Sequence, residues 1–312
     1  MPSRFENTEA LCGLLRALTG RGYRFVTPTP TTAGRMFRRR GAERPDLRDI
    51  FGWSRAFHAD DIDAELLGLM RAARVVRAKG GRLRSLVRAS TVHGELFLHS
   101  AFPTVAPDAV FLGPDTYRFA NLIARELSGG NEIRTILDLG AGAGVGAIVA
   151  ARSALAASVC MSDVNLKALD LARANAAHAG VAASVRHASG LEGAPAGLDL
   201  VIANPPYMED GKRRAYRDGG GLHGARLSLE WARAGMGHLA PGGRMILYTG
   251  SAIQKGGVDR LEAELRASIA APGFTLAYRE LDPDVFGDEL RRPAYADVER
   301  IAAIGAVITR SA

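Results

Sequence analysis

The feature that most constrains this chain is a run of glycines between a short apolar segment and a helical one: Asp138-Leu139-Gly140-Ala141-Gly142-Ala143-Gly144-Val145-Gly146. Residues 135–139 read as a strand and 144–154 as a helix, so the glycines make the turn between them. Glycine lets a backbone approach a ligand closely, and a helix start presents unpaired amides to it. The same texture continues with strands at 157–162, 198–203 and 244–248 and helices at 165–179 and 227–239. Strands alternating with helices close into a parallel sheet with crossovers. Segments 275–281 and 301–309 predict two more strands, an antiparallel hairpin at the sheet edge. The expected fold class is α/β: a Rossmann-like seven-stranded sheet over residues 106–312, after a smaller N-terminal helical or winged-helix domain over 1–105.

That first part reads as short helices followed by a hairpin. Asn7 or Thr8 caps a helix reaching about Thr19, with Leu11, Leu14, Leu15 and Leu18 on one stripe. A second helix starts near Thr31 or Thr32 and runs into Arg38-Arg39-Arg40. A third starts at Asp60-Asp61-Asp63 and carries Leu66, Leu67 and Met70. Gly80-Gly81 leads into a strand over 83–90, and Val92-His93-Gly94 turns it into another over 95–102.

Charge is unevenly spread. Residues 1–105 hold 18 Lys/Arg against 10 Asp/Glu, a net of +8, leaving 22 against 23 in the rest, a net of −1. A basic N-terminal third implies an anionic partner, such as nucleic acid or an acidic protein face, or else a solvated arginine surface. No stretch approaches the ~20 apolar residues of a membrane span, and Arg4, Glu6, Glu9 and Arg16 interrupt any signal-peptide pattern. Cys12 and Cys160 read as reduced, buried thiols, and the histidines lack metal-ligand spacing. The expectation is a cytoplasmic protein without membrane or metal.

Two carboxylates flank the glycines. Asp138 precedes them, where an acid can receive the amino group of a methionine moiety, and Asp163 ends the next strand, where an acid takes a ribose diol. A dinucleotide needs only the second acid; an adenosyl sulfonium uses both. The next motif is Asn204-Pro205-Pro206-Tyr207, straight after the strand 198–203. Two prolines hold the backbone extended and remove two donors. The Asn204 side-chain oxygen and the Pro205 carbonyl then accept both hydrogens of an amide or exocyclic amine, with Tyr207 stacked on its planar face. Accepting both draws the nitrogen towards a pyramidal, nucleophilic geometry. The segment 209–221 predicts a mobile loop, with Lys212, Arg213, Arg214 and Arg217 facing Asp210 and Asp218 and Gly219-Gly220-Gly221 as a hinge; His223 lies just beyond.

On these motifs, residues 110–310 resemble class I S-adenosylmethionine-dependent methyltransferases of the Asn-Pro-Pro-Tyr type, within them the release-factor glutamine N5-methyltransferases and their N6-adenine relatives. Phe111-Leu112-Gly113-Pro114-Asp115-Thr116-Tyr117 resembles the segment that closes over the cofactor in the glutamine enzymes, with Gly113 and Tyr117 in place of their usual arginine and glutamate. In His187-Ala188-Ser189-Gly190-Leu191, Gly190 replaces the acid commonly found near the adenine. The resemblance implies S-adenosylmethionine at Asp138, Gly140, Gly142, Gly144, Asp163, Val164, Gly190, Leu191 and Asn204. It implies catalysis at Asn204, Pro205 and Tyr207, and substrate contacts at Asn204, Pro205, Pro206 and Tyr207. The implied partner is a release-factor-like protein presenting a glutamine, or a nucleic acid presenting adenine N6; a small molecule is a third acceptor. A non-catalytic nucleic-acid-binding protein is the alternative of another class.

Overall fold

The computed structural model describes residues 7–39, 44–130, 132–154, 158–211, 216–269 and 273–312. Helix α1 (Thr8–Gly20) begins at Asn7, whose side chain accepts the Ala10 amide at 3.0 Å, and it buries the expected leucine stripe. Helix α2 (Pro30–Arg39) opens on a proline, which has no amide to waste in a first turn, while the Thr29 hydroxyl accepts from the Thr32 amide at 3.2 Å. Arg40, expected at its end, lies outside the described residues. Helix α3 (Ala64–Ala72) is capped by Asp63, which accepts the Leu66 amide at 2.9 Å.

Two hairpins follow where one was expected. Strands β1 (Val76–Lys79) and β2 (Arg82–Ser85) turn at Gly80-Gly81; β3 (Val87–Val92) and β4 (Glu95–Ser100) turn at His93-Gly94. The single strand read over 83–90 is broken at Leu86, whose amide donates to the Val75 carbonyl instead of continuing a ladder.

Helix α4 (Pro114–Leu127) then leads into β5 (Thr135–Leu139), α5 (Val145–Ala154), β6 (Ser158–Asp163), α6 (Leu166–His178), β7 (Ala183–His187), β8 (Leu198–Ala203), α7 (Arg226–Met236) and β9 (Leu239–Gln254). The short β10 (Val258–Asp259), α8 (Arg260–Ile269), β11 (Phe274–Asp282) and β12 (Val298–Arg310) complete the chain. Ala157, the expected start of the second strand, is outside the described residues. Pro241-Gly242-Gly243, just ahead of the strand expected over 244–248, falls inside β9, where the ladder to β8 shifts register.

The sheet runs β11-β12-β9-β8-β5-β6-β7, with β10 pairing β9 off this path. Pairs among β9, β8, β5, β6 and β7 are parallel, while β12 is antiparallel to both β9 and β11. It is the expected α/β sheet, with the antiparallel hairpin on the β9 side. The central strands are buried on both faces, which is why β8 reads as an unbroken apolar run from Leu200 to Ala203. From β5 the chain moves outward to β6 and β7, then returns to β8 on the other side. The carboxyl ends of β5 and β8 therefore diverge, and in open α/β sheets ligands collect at such a crevice.

The first hundred residues share this core. Helix α1 lies along α6, and its leucines belong to the same apolar cluster as Leu171 and Ala172. The Asn175 side chain on α6 accepts the Leu98 amide at 2.9 Å and donates to the Leu98 carbonyl at 3.0 Å and the Ala143 carbonyl at 2.8 Å. One buried amide thus ties β4, α6 and the glycine loop together. Among the described residues no helix is long and apolar enough to cross a membrane.

Candidate active site

A cavity of about 1650 Å³ opens over the carboxyl ends of β5, β6 and β8. At β5 the chain turns through Gly140 (φ +68°) and Gly144 (φ +78°), left-handed conformations that favour glycine. Space is short as well. A Cβ on Gly140 would lie 2.8 Å from the Trp231 ring, and one on Gly144 would lie 2.9 Å from the Met161 sulfur. The Gly140 and Ala141 amides donate to the Ser162 carbonyl at 2.8 and 3.0 Å, which pins the loop against the end of β6.

The two acids serve this loop differently. Asp163 accepts the Gly142 amide at 2.9 Å through Oδ2 and the Asn165 amide at 2.8 Å through Oδ1, so it bridges the loop to the start of α6. Burial raises its pKa, and those amide bonds oppose the rise. Asp138 is 1% exposed and accepts the Ala147 amide at 2.8 Å, inside the first turn of α5. Burial pushes its carboxyl up to about 7; the Ala147 bond opposes this and the nearby Asp163 charge adds to it. Asp138 therefore caps a helix and lines the cavity at once.

Asn204-Pro205-Pro206-Tyr207 leaves the end of β8 along the same cavity. The Asn204 side chain makes no hydrogen bond to any described residue. Tyr207 is 8% exposed: its ring meets Tyr248 and Phe286 edge-on at 6.2 and 6.0 Å, and a Cβ on Gly250 would lie 2.4 Å from its Cδ2. Its hydroxyl bonds to Asp115 and Tyr248, and Tyr248 itself donates to Asp115 at 2.8 Å. The ring is a fixed wall of the cavity.

Residues 110–254 match the family described as methyltransferase small domain. A release factor glutamine methyltransferase from Deinococcus radiodurans is 30% identical over 179 residues, covering 56% of this chain and 63% of that protein. A ribosomal RNA small subunit methyltransferase C from Pseudomonas aeruginosa is 32% identical over 117 residues, covering 37% of this chain and 32% of that protein. Neither alignment reaches two thirds of the relative's own length. Among solved structures, a Streptococcus mutans protein proposed to be a SAM-dependent methyltransferase superposes with a TM-score of 0.51 at 12% identity, over 78% of this chain and 64% of that one, and shares its fold.

Around the cavity most of the expected residues converge. Asp138, Gly140, Gly142, Asp163, Val164, Gly190, Asn204, Pro205, Pro206 and Tyr207 all line it. Gly144 and Leu191 do not: Gly144 is turned against Met161 and Ala172, and Leu191 packs onto the core cluster beneath α7. His223 is also elsewhere, 3.0 Å from Asp297. The loop read as hinged at Gly219-Gly220-Gly221 is wedged at Gly219, where a Cβ would lie 1.8 Å from the Gly224 carbonyl oxygen and 2.5 Å from that of Pro206. Lys212, Arg213 and Arg214 lie outside the described residues, and Arg217 pairs with Glu289.

Three contributors to the cavity escape a reading of the sequence. Trp231 projects from α7 against Gly140 and Gly190, where only a helical stripe marks it. Tyr248 sits in the buried run 245–251 of β9 and reaches the cavity wall through its contact with Tyr207. Asp115 left a signal, an acid just after a helix-opening proline, but its partners come from β9 and from the turn after β8.

The cavity fits S-adenosylmethionine. Asp138 offers a buried, unusually basic carboxyl towards an ammonium, and the glycine loop admits close approach. Val164 and Leu166, 52% and 41% exposed, form an apolar rim suited to a planar base. Among the described residues no cluster of His, Cys, Asp or Glu is placed to hold a metal ion.

Proposed function

We propose that this chain transfers a methyl group from S-adenosylmethionine to a planar amide or amine nitrogen held at Asn204-Pro205-Pro206-Tyr207. The observation that carries the reading is the Asn204 carboxamide. It has no hydrogen-bond partner among the described residues, and it sits at the end of β8 in the same cavity as the glycine loop at the end of the adjacent β5. When bound, S-adenosylmethionine supplies an electrophilic methyl on a sulfonium. The protein orients the acceptor: the Asn204 side-chain oxygen and the Pro205 carbonyl take its two N–H groups, and Tyr207 bounds its plane. Orientation of this kind accounts for ~7–11 kcal/mol of a barrier. The surplus proton of the methylated nitrogen leaves to water.

The favoured acceptor is a glutamine side chain in a protein, because the release-factor relative aligns over the larger share of this chain. Adenine N6 in RNA or DNA is the second reading, favoured by the exposed Arg35, Arg38 and Arg39 of α2. Labelled-methyl transfer to total protein, RNA and DNA fractions tests both. Label in the protein fraction, released as N5-methylglutamine on proteolysis, is the expected result; label in RNA or DNA selects the second reading. Calorimetry should show S-adenosylhomocysteine binding and no NAD binding, and the reverse would remove the cofactor assignment.

A further inference from the structure

The methyltransferase cavity extends beyond the space around the glycine loop. Its lining also takes in residues 27–31, Phe102 and Arg88, from the first third of the chain. At about 1650 Å³ it exceeds the ~300–1,000 Å³ usual for one small ligand, so a second molecule has room beside the cofactor.

Arg88, on β3, is 3% exposed. Its Nε donates to the Gly52 carbonyl at 2.7 Å, and its guanidinium lies over the Phe25 and Phe102 rings at 5.5 and 6.0 Å. Its Nη2 has no acceptor among the described residues, and the charged or polar groups that act on it electrostatically are Tyr23 and Tyr117, with no carboxylate. Burial lowers its pKa to about 10. His99, buried close by, brings no counter-charge, because burial and Arg88 itself hold it neutral. An unpaired guanidinium is costly to bury, and two ring faces and one carbonyl still leave its Nη2 unsatisfied. As a brace between β3 and Gly52, a methionine would fill the position at less expense.

The same lining includes the amino end of α2, since residues 27–31 run into its first turn. Pro30 has no amide and the Thr32 and Ala33 amides are taken by Thr29, so the Thr31 amide and the helix dipole are what favour negative charge there. Two independent positive features thus face one compartment with no acidic side chain paired to either among the described residues. We propose that Arg88 and the amino end of α2 receive an oxyanion, a phosphate or a carboxylate, carried by the methyl acceptor. The inference rests on the methyl-transfer reading for the word acceptor, and on Arg88 with the amino end of α2 for the anion.

Thermal unfolding of the full chain tests it in chloride, inorganic phosphate and glutarate at equal ionic strength, with and without S-adenosylhomocysteine. Phosphate stabilises any protein weakly by exclusion, so the signal is the difference between wild type and variant. The wild-type midpoint should rise by a few degrees. Arg88→Met should lose that rise, and Arg88→Lys should keep only part of it, because an ammonium lacks the planar fork. If Arg88→Met does not fold, the lysine variant carries the comparison. A larger shift with phosphate identifies a phosphate ester, and a larger shift with glutarate identifies a carboxylate. Equal shifts in wild type and variants, or none in wild type, overturn the proposal. The response to S-adenosylhomocysteine should survive in the variants. Its absence in wild type, beside a persisting anion shift, would sink the methyl-transfer reading and leave the anion site standing.

Discussion

Single side chains around the cavity have separable duties. Asn204→Ala removes an acceptor whose bond strengthens as the nitrogen pyramidalises, so single-turnover methyl transfer should fall ~10²–10³-fold. Cofactor affinity by calorimetry should change only a few-fold; lost cofactor binding or untouched turnover would contradict the role. Tyr207→Phe keeps the ring but strips a hydroxyl from a buried network, leaving Asp115 short of a donor. It should cost ~1–3 kcal/mol in chemical denaturation while turnover falls little. Asp138 makes a pH prediction. Its carboxyl is raised from 3.8 to about 7, so the folded chain holds that proton more tightly than the unfolded one. Its contribution to stability therefore declines as pH rises from 3.8 towards 7 and is constant above. An ammonium ligand requires the ionised acid, so S-adenosylhomocysteine affinity should climb ~tenfold per pH unit below 7 and level off beyond it. A flat affinity from pH 6 to 8 would reduce Asp138 to a helix cap.

Between elements, the Asn-Pro-Pro-Tyr turn is held by backbone contact. Gly219 meets the Pro206 and Gly224 carbonyls and Gly250 meets the Tyr207 ring, each closer than a methyl group allows. Gly250→Ala should displace Tyr207 and cost ~1–3 kcal/mol by overpacking, with transfer activity lost well beyond the loss of folded protein. Near-normal transfer at full folding would show that Tyr207 need not be fixed. These contacts also show what was legible in advance. The strand–glycine–helix unit, both acids and the Asn-Pro-Pro-Tyr motif are local, because proline, glycine and a strand end declare themselves within a few residues. Gly219 was also visible, as one of three consecutive glycines, but a hinge and a wedge look alike until the opposing carbonyl is known. The break at Leu86 was hidden for a related reason: its amide goes to Val75, eleven residues back, and alternation alone does not reveal it. Gly144 illustrates the converse, since its place in the motif suggests ligand contact while its neighbours are Met161 and Ala172.

At the scale of the whole molecule, the first third supplies part of the cavity as well as a basic surface. Tyr117, on α4, accepts the Thr27 amide at 2.9 Å, and Arg88 and residues 27–31 line the same cavity as the glycine loop. The apolar cluster runs without interruption from α1 through α6 to β5. Asn175 is the polar stitch in that seam. Asn175→Ala would leave the Leu98 amide and carbonyl and the Ala143 carbonyl buried without their partner. Each of the three stranded groups costs ~1–3 kcal/mol, so a loss of at least ~3 kcal/mol is expected, a large part of the ~5–15 kcal/mol that stabilises a typical domain. Because Ala143 belongs to the glycine loop, which is proposed to hold the cofactor, the variant should also weaken S-adenosylhomocysteine binding, although Asn175 itself does not line the cavity. A shared core further implies that both parts unfold together. Denaturation followed by fluorescence of Trp53, in the first third, and of Trp231, against the glycine loop, should give one coincident transition in single-tryptophan variants. Two separated transitions would mean that the first third is an independent unit docked on the rest of the chain, and that Arg88 reaches the cavity only when docked.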